Sequence, residues 1–415
     1  MDILIVTPFY TPDLGPSAPL FAMLSIELVQ LGHHVTVVSA VPHYPTGKVQ
    51  TEFRSFRISR NVENGVKVIR IPVPSMDRSN LINRFIQYFC FQIGATFETI
   101  RERFDMVVVS NPALWIWMPF TIASIFKKKP AIFSIHDLYP DVGVTLGVFK
   151  QKPVISVVTK IEQYVLGRSA YVRILSESFK PTMKSLGVSD EKMILIYDWV
   201  DTNLIKPVPR INGFSCEYNL TDKFVVMYAG NVGLTQGLEH VLTAAKILEG
   251  HDDTHFAIVG EGAARKELMT LAEEQNLRNV SFIPFQPRQR LPEVLSTADI
   301  SLVSLRHGVG STALPSKTYS IFASGKPILA CVEEGCETSK LINQSKSGIC
   351  IEPENPAELV KAILHLKDHP EMRDVMGKNG RKWAEMHHSP RSAALKIEML
   401  FRQMIESRLG KLSKA

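Results

Sequence analysis

The stretch DILIVTPFYTPDLGPSAPLFAMLSIELVQLGHHVTVVSA, residues 2–40, joins two apolar runs through a Pro- and Gly-bearing loop and an amphipathic segment. The first run, DILIVTPF, and the last, HVTVVSA, have the composition of buried strands, whereas PLFAMLSIELVQLG has helical periodicity. Gly32 suits the position just past the end of that helix. The order strand, helix, strand predicts a βαβ unit with parallel strands.

The same alternation continues along the chain in two series separated by a linker. MVVVSNP, AIFSIHD and YVRILSES follow in the first series, and KFVVMYAGN, HFAIVGEG and DISLVSL belong to the second. The stretch WVDTNLIKPVPRINGFSCEYNL between them is rich in Pro, Asn and Asp, which is typical of a connection. We therefore expect an α/β protein with two doubly wound parallel-sheet domains, residues 1–203 and 204–390. A last helix in residues 391–415 is expected to pack back towards the N-terminal domain.

Composition argues against several other classes of protein. The 415 residues are 45% hydrophobic and 21% charged, as in ordinary globular chains. Lys and Arg outnumber Asp and Glu by 21 to 16 up to residue 200, which is too small an excess for a nucleic-acid binder but suits a surface on anionic lipid. Five cysteines without a CxxC pair, and a first strand without the basic n-region of a signal peptide, lead us to expect a cytoplasmic protein.

Two apolar segments suggest a peripheral membrane contact. VVVSNPALWIWMPFTIASIF, residues 107–126, has no charged residue and the length of a membrane span, but Ser110, Asn111 and Pro112 form a turn signal that divides it. LINRFIQYFCFQIGATFETI, residues 81–100, is amphipathic. Core packing is the simpler explanation of both segments. Contact with the inner face of the cytoplasmic membrane is the functional interpretation.

Three loops of the second series have the composition of phosphate-binding loops. MYAGNVGLTQGLEHV places Gly230, Asn231 and Gly233 before a helix, where bare backbone amides can approach an anion, and AIVGEGAARKEL does the same with Gly260. In LPSKTYS, Lys317 lies in the first turn of a predicted helix, where the macrodipole repels a cation. A phosphate between the amine and the amides would make that charge favourable. A side chain that points into solvent is the alternative.

A nicotinamide dehydrogenase is another enzyme class that this fold could support. GEGAAR is a partial GxGxxG after a strand, but Arg265 replaces the third glycine and the next strand ends in Phe285 rather than in an acidic residue. The sequence contains no GxxxxGK[ST], GxSxG or HExxH. His251 and His255 are four residues apart in a predicted loop, which does not suit a zinc-binding helix face.

Polar residues also follow a strand in the first series. His136 and Asp137 end the apolar run AIFSIHD, with Asp141 nearby, so we expect them to face a ligand in a cleft between the domains. A structural histidine is the alternative. Gly15, in the loop FYTPDLGPSAP, either lets the backbone approach a diphosphate or belongs to an ordinary turn.

Taken together, these stretches resemble the family-four glycosyltransferases over essentially the whole chain. The carrying stretches, in this order and spacing, are LGHHVTVVSAVPHYPTG, DLYPD, YAGNVGLTQGLEHVLTAAKIL, IVGEGAARKEL, ADISLVSL, LPSKTYSIFASGKPILA and SGICIEPENPAEL. The chain is most similar to the bacterial subgroup that builds O-antigen, capsule and colanic-acid-like polysaccharides, including fucosaminyl and fucosyl transferases. The resemblance implies the GT-B fold, in which two Rossmann-like domains face each other across a cleft.

The resemblance also implies a reaction. The family implies a retaining transfer of a sugar from a nucleotide diphosphate to an acceptor hydroxyl, usually without a bound metal. For this chain we expect UDP as the nucleotide, a lipid-linked oligosaccharide as the acceptor, and no cofactor. The sugar would be an N-acetyl amino sugar or a deoxy sugar. By motif, Gly15 would lie near the donor phosphates, and His136, followed by Asp137, near the reacting centre.

The donor site implied by the resemblance departs from the family pattern in its charges. The residues that would line the diphosphate site are Asn231, Gly233, Gln236, Gly260, Ser316 and Lys317. Many members carry Arg and Lys at the positions of Asn231 and Gln236, and two glutamates at the positions of Thr312 and Ser320. Lys317, together with Arg306, would then bear more of the phosphate charge, and Glu337 would be the nearest carboxylate for the ribose hydroxyls.

Two other functions stay open on this fold. A nucleotide-sugar 2-epimerase would consume the sugar nucleotide without an acceptor. A non-catalytic nucleotide-sugar-binding protein would bind the donor without turnover, and the neutral residues Asn231 and Gln236 make that conceivable.

Overall fold

The computed structural model describes residues 1–140, 151–250, 253–310 and 314–412, so Asp141, His251 and Thr312 lie outside the described residues. The chain divides into two compact units. Unit 1 contains Met1–Asp198 together with the residues from Pro390 onward, and unit 2 is Trp199–Ser389. Each unit is an α/β structure built on its own sheet.

Unit 1 is built on a mainly parallel sheet. Its strands are β1 (Asp2–Val6), β2 (His34–Ala40), β3 (Ser59–Glu63), β4 (Val66–Ile71), β5 (Met106–Ser110), β6 (Ala131–Ser134), β7 (Tyr171–Ile174) and β8 (Met193–Leu195). They lie in the order β3-β4-β2-β1-β5-β6-β7-β8, and the pair of β3 with β4 is antiparallel. All five residues of the central strand β5 are buried, as expected where helices cover both faces of a parallel sheet.

The described helices of unit 1 that precede the linker connect its strands. They are α1 (Ala18–Gln30), α2 (Leu81–Arg101), α3 (Trp117–Thr121), α4 (Lys152–Arg168) and α5 (Lys180–Ser185). Gly32 follows the end of α1 with a φ of 86°, in the left-handed region that favours glycine. The strand, helix and strand predicted in residues 2–40 are therefore confirmed, with β1 and β2 paired in parallel.

Unit 2 contains a six-stranded sheet whose pairs are all parallel. Its strands are β9 (Phe224–Ala229), β10 (Thr254–Val259), β11 (Val280–Ile283), β12 (Ile300–Ser304), β13 (Ile328–Cys331) and β14 (Gly348–Ile351), in the order β11-β10-β9-β12-β13-β14. Its helices are α6 (Gly213–Glu217), α7 (Glu239–Ile247), α8 (Arg265–Glu274), α9 (Leu291–Thr297), α10 (Lys317–Ser324), α11 (Glu337–Ser345), α12 (Pro356–Asp368) and α13 (Pro370–His387). The order reverses between β9 and β12, so the loops after these strands lie where open α/β sheets bind ligands.

The last helix, α14 (Pro390–Leu412), belongs to unit 1. Two ion pairs join it to α1 and to the turn after α1. Nε2 of His33 lies 3.4 Å from Oε1 of Glu398, and Nη1 of Arg391 lies 3.5 Å from Oε2 of Glu27.

The apolar stretch 107–126 forms several short elements. After β5 come a 3-10 turn at Ala113–Trp115, α3, and a π-helical stretch at Ile122–Phe126. The turn signal at residues 110–112 therefore divides the stretch as predicted. Among the described residues, no helix combines the length and the hydropathy needed to cross a membrane.

Helix α2 has an unusual distribution of polarity. Its buried side includes Gln87, Gln92 and Glu98 beside Phe91, whereas eight of its large apolar side chains are exposed. The exposed residues form a stripe along one side, which we call the apolar face of α2: Leu81, Ile82, Phe85, Ile86, Phe89, Ile93, Phe97 and Ile100. Core packing within unit 1 therefore does not account for these side chains.

A buried carboxyl beneath the strand ends of unit 1 gives a stability prediction. Glu162 of α4 is buried, and its Oε2 accepts a hydrogen bond from the backbone N–H of Ala113 at 3.2 Å. Burial raises the pKa of Glu162 to about 8. Between pH 4.5 and 8 the folded protein therefore keeps a proton that the unfolded chain releases, and stability falls as pH rises through this range.

Glu162→Gln should remove this pH dependence, because the amide keeps an oxygen for Ala113 and does not titrate. We expect the unfolding midpoint of the variant to exceed that of the wild type by several degrees at pH 8, and the difference to become much smaller at pH 5. Thermal unfolding of both proteins across this range measures it. An equal difference at pH 5 and pH 8 would show that Glu162 is ionised in the folded protein.

Candidate functional site

Two glycine loops of unit 2 are locked together at the carboxyl ends of β9 and β10. The backbone N–H of Gly230 donates to the carbonyl of Val259 at 2.9 Å, and that of Val232 donates to Glu261 at 2.8 Å. A Cβ on Gly260 would lie 2.0 Å from the carbonyl oxygen of Gly230, and Gly260 has a φ of 142°. Both the space and the backbone conformation therefore require glycine at residue 260.

Lys317 is the first residue of α10, directly above these loops. Its Nζ donates a hydrogen bond to the hydroxyl of Tyr228 and lies 3.6 Å from the centre of the Tyr228 ring. A Cβ on Gly230 would lie 3.1 Å from this nitrogen, so a larger residue at 230 would crowd the amine. Burial lowers the pKa of Lys317 to about 7. The lysine expected in the first helical turn thus lies over the glycine loop.

Tyr228 was not among the residues that the sequence singled out. It lies in β9, and its hydroxyl donates to the carbonyl of Asn231 at 2.6 Å. Burial raises its own pKa, so the hydroxyl stays protonated. A tyrosine in a strand is ordinarily a packing residue, and only its position just before the glycine loop could have drawn attention to it.

Gln236 supports the loop that follows β9. Its Oε1 accepts from the backbone N–H of Gly233 at 2.9 Å, and its Nε2 donates to the hydroxyl of Thr235 at 3.0 Å. The hydroxyl of Ser304, at the end of β12, donates to the Gln236 carbonyl at 2.6 Å. The side chain of Asn231 lies beside Gly233, where an added Cβ would be 2.8 Å from Nδ2. These polar groups therefore hold the loop in one conformation.

Arg306 is bound to the same loop and is paired with carboxylates. Its Nε donates to the carbonyl of Leu234 at 2.6 Å, Nη2 lies 2.5 Å from Oε1 of Glu239, and Nη1 lies 3.7 Å from Oε1 of Glu354. Its charge is thus largely compensated within unit 2. Lys317 has no such ion pair among the described residues, which makes it the stronger candidate for an anion contact.

Two other predicted donor residues lie at helix starts. Ser316 is exposed at the N-cap of α10, and its side chain makes no capping hydrogen bond. Glu337 is buried as the first residue of α11. Nearby, the carboxylate of Glu333 accepts from the backbone N–H groups of Gly308 and Gly310 at 3.0 and 3.2 Å, which ties the segment after β12 to the start of α11.

In unit 1, the strand ends bring His136 into a network of polar groups. Its backbone N–H donates to Oδ1 of Asn111 at 2.9 Å, and the Asn111 amide donates to the carbonyl of Asp137. Nδ1 of His136 lies 3.7 Å from Oδ1 of Asp198, which also pairs with Arg173 at 2.6 Å. Burial lowers the pKa of His136 to about 4, so the imidazole is neutral at physiological pH.

Asp137 is exposed, yet its surroundings disfavour the negative charge of its carboxylate. Partial desolvation at the strand end and the nearby charge of Asp198 raise its pKa. His136 and Asp137 therefore offer a neutral imidazole and a carboxyl at one edge of the sheet, as the sequence predicted for their position.

Gly15 lies in a loop that a buried carboxylate organises. Oδ1 of Asp13 accepts from the backbone N–H of Gly15 at 2.8 Å, and Oδ2 accepts from that of His43 at 2.8 Å. A Cβ on Gly15 would lie 2.5 Å from Cγ of Phe9. Glycine is thus required here by close packing on an aromatic ring.

An aromatic cluster that the sequence did not indicate lies beside this loop. The guanidinium carbon of Arg78 is 5.4, 5.3 and 5.1 Å from the ring centres of Phe9, Tyr44 and Tyr88. Trp115 stacks on Tyr88 with 4.1 Å between ring centres. The rings belong to four different segments, and only the fold brings them together.

Comparison with known proteins gives the chain its family. The family model described as Glycosyltransferase Family 4 matches residues 20–204, and the one described as Glycosyl transferases group 1 matches residues 217–383. The two matches thus divide between unit 1 and unit 2, near the boundary in the structure. The chain is a family-four glycosyltransferase.

Relatives and solved structures agree with this assignment. The glycosyltransferase is 27% identical over 373 residues to WcaI of Escherichia coli (strain K12), named for colanic acid biosynthesis, covering 88% of this chain and 91% of WcaI. It is 26% identical over 298 residues to the glycosyltransferase WbjE of Pseudomonas aeruginosa, covering 70% and 73% of the two chains.

The fold has a close counterpart in Anabaena HepE, solved in complex with UDP. The structural match covers 97% of this glycosyltransferase and 100% of HepE, with a TM-score of 0.70 and 14% sequence identity. The similarity shows a shared fold, and the two parallel-sheet units of the glycosyltransferase are those of the GT-B class.

Replacing Gly260 of the glycosyltransferase tests the close approach of the two glycine loops. Gly260→Ala should lower the unfolding midpoint by roughly 5 °C or more, because the methyl group meets the Gly230 carbonyl and the left-handed φ strains alanine. Gly250→Ala is the matched control, since its Cβ would meet nothing within 4 Å. Equal midpoints for the two variants in thermal unfolding would contradict the close approach of the loops.

Proposed function

We propose that this glycosyltransferase moves a sugar, with retention of configuration, from a UDP-linked donor to a lipid-linked oligosaccharide in cell-surface polysaccharide biosynthesis. The observation that carries the donor part is Lys317, a lysine without an ion pair among the described residues, at a helix start over two glycine loops. A nucleotide diphosphate supplies the negative charge that such a site lacks.

In the proposed donor site, unit 2 neutralises the leaving diphosphate. Lys317 contributes the cation, the N-terminus of α10 contributes its dipole with Ser316 at the cap, and the glycine loops at Gly233 and Gly260 lie at the same edge of the sheet. Asn231 and Gln236 keep the loop in position rather than adding charge. Glu337 is the candidate for the ribose hydroxyls.

In unit 1, we assign His136 and Asp137 to the reacting sugar, and Gly15 to a position near the donor phosphates. A neutral imidazole can donate and accept hydrogen bonds with sugar hydroxyls without bringing a charge near the anomeric carbon. In a retaining transfer by front-face attack, the departing phosphate oxygen takes the proton of the acceptor hydroxyl, so no carboxylate nucleophile is required.

The names of the relatives support the proposed pathway. WcaI is named for colanic acid biosynthesis, which makes an exported polysaccharide the natural product class for a chain that matches it along most of its length. An N-acetyl amino sugar or a deoxy sugar is the proposed cargo, for incorporation into O-antigen, capsule or a similar polymer.

The apolar face of α2 supports a peripheral contact with the inner face of the cytoplasmic membrane. Phe89 and Phe97 are each 58% exposed on this face. Arg101 at the end of α2 and Lys128 are exposed and suit anionic lipid. A lipid-linked acceptor would then be presented in the surface on which unit 1 rests.

The donor assignment is tested with Lys317→Ala. We expect UDP to stabilise the wild type against thermal unfolding more than GDP or dTDP does, and the variant to bind it about tenfold to hundredfold more weakly, because a charge-assisted hydrogen bond is lost. Lys340→Ala, which removes an exposed amine from α11, is the control and should bind normally.

Failure of all three nucleotides to stabilise the wild type would contradict the proposed donor site. Consumption of a UDP-sugar without an acceptor, followed by product analysis, would instead indicate an epimerase. Binding without turnover on any acceptor would indicate a binding protein.

The membrane contact is tested with vesicles that contain phosphatidylglycerol. Wild-type protein should co-sediment with them, and Phe89→Ser combined with Phe97→Ser should weaken this binding more than tenfold, because each phenyl ring contributes about 1.5–3 kcal/mol when it leaves water. Phe285→Ser is the control, since this ring is 72% exposed on unit 2. Equal binding by all three proteins would exclude the apolar face of α2 as the contact.

A further inference from the structure

The amine of Lys317 lies in surroundings that disfavour a positive charge. It sits at the first position of α10, where the helix dipole presents its positive end. It is also covered by the Tyr228 ring on one side and lies close to Gly230. The face of the ring favours a cation.

Two buried arginines of the protein are paired with carboxylates. Arg173 pairs with Asp198 at 2.6 Å, and Arg70 pairs with Glu63 at 2.8 Å. Among the described residues, the polar partner of the Lys317 amine is a neutral hydroxyl. The charge of the Lys317 amine is therefore not paired with a described carboxylate, and an anionic ligand would pair with it.

The hydroxyl of Tyr228 has a fixed role in this contact. Its own proton goes to the carbonyl of Asn231 at 2.6 Å, so its lone pair is what faces Lys317. An oxygen that only accepts stabilises the ammonium form more than the neutral amine, because hydrogen bonds from charged donors are stronger. Tyr228 thus supports protonation of Lys317, while burial opposes it.

The charged groups on the elements packed around α10 do not change this balance. From α13, Arg381 reaches the opposite end of the helix, where its Nη1 donates to the carbonyl of Ala323 at 2.7 Å. From β9, Tyr228 is the titratable group in contact with the amine. From β12, Ser304 is neutral and bonds to Gln236. Protonation of Lys317 therefore depends on Tyr228 and on the ligand.

We infer that Lys317 takes up a proton from solvent when the donor diphosphate binds, and that the Tyr228 hydroxyl is the positioning group that sets how readily it does so. This inference rests on the proposed function, because it assigns the diphosphate to Lys317. The one covalent change is an N–H bond, which the amine lone pair forms with a proton released by a solvent or buffer acid. The amine gains one proton, and the protonated form pairs with a phosphate oxygen.

One consequence is that donor affinity is linked to pH. With the pKa of Lys317 near 7 in the free protein, most of the amine must be protonated on binding at pH 8, whereas little remains to be protonated near pH 5.5. Donor affinity therefore falls as pH rises through this range. The ionisation of the nucleotide itself cancels when two variants are compared at the same pH.

Tyr228→Phe is the variant that tests the inference, because it keeps the ring and removes the acceptor. We expect the protonation midpoint of Lys317 to fall by about one pH unit, which makes UDP affinity about tenfold weaker than wild type at pH 8 and nearly equal to it at pH 5.5. Tyr218→Phe, at the residue that follows α6, is the matched control and should follow the wild type at both values. A merely structural role of Tyr228 would weaken binding by the same factor at every pH.

A second measurement needs no nucleotide. Trace labelling of full-length protein with acetic anhydride across pH 5–11, followed by peptide mass spectrometry, reports the protonation midpoint of each lysine, with exposed Lys340 as the internal reference. A Lys317 midpoint near 7 that falls in Tyr228→Phe, and protection of Lys317 by UDP at pH 8, are the results we expect.

The outcomes separate the two claims. A Lys317 midpoint close to that of Lys340 would overturn the proton uptake even if UDP protects Lys317, and the donor site would stand. A low midpoint without protection by UDP, GDP or dTDP would overturn both the proton uptake and the proposed donor site.

Discussion

The close approach of two backbone segments, at Gly230 and Gly260, is the constraint on which the candidate site of unit 2 depends. The carbonyl of Gly230 occupies the space that a side chain at residue 260 would need, so the loops after β9 and β10 can only meet as bare backbone. That meeting fixes the position of Gly230, and Gly230 in turn leaves room for the amine of Lys317. The site is thus held in place by steric limits and backbone hydrogen bonds before any ligand arrives.

The two cations near this site, Arg306 and Lys317, differ in how their charges are paired. In unit 2, Arg306 pairs with Glu239 and Glu354. The partner of Lys317 is a neutral hydroxyl, so no described carboxylate pairs with this amine at the start of α10. In a glycosyltransferase the phosphates of the departing nucleotide are the group that must be stabilised. Lys317, at the positive end of a helix, stays close to neutral until an anion binds. Its positive charge is therefore fully present only when the diphosphate is bound, and it then stabilises the phosphates.

Local patterns in the sequence predicted much of this structure, and long-range contacts account for what they missed. The apolar runs, Gly32 and the glycines after the strands fix local conformation, which explains why the two parallel sheets and the place of Lys317 could be predicted. Tyr228 and Lys317 are 89 residues apart, so their contact depends on the fold of the whole unit. The amphipathic nature of α2 was visible, but the sequence did not show that its buried side also takes up a carboxyl, because Glu98 pairs with Arg60 of β3 at 2.5 Å.

The most direct test of the central claim is a crystal structure of the full chain with UDP bound. The account predicts the diphosphate at the start of α10, with Nζ of Lys317 about 3 Å from a phosphate oxygen and the backbone around Gly233 facing the phosphates. A diphosphate bound elsewhere, with Lys317 still bonded to Tyr228 alone, would contradict it.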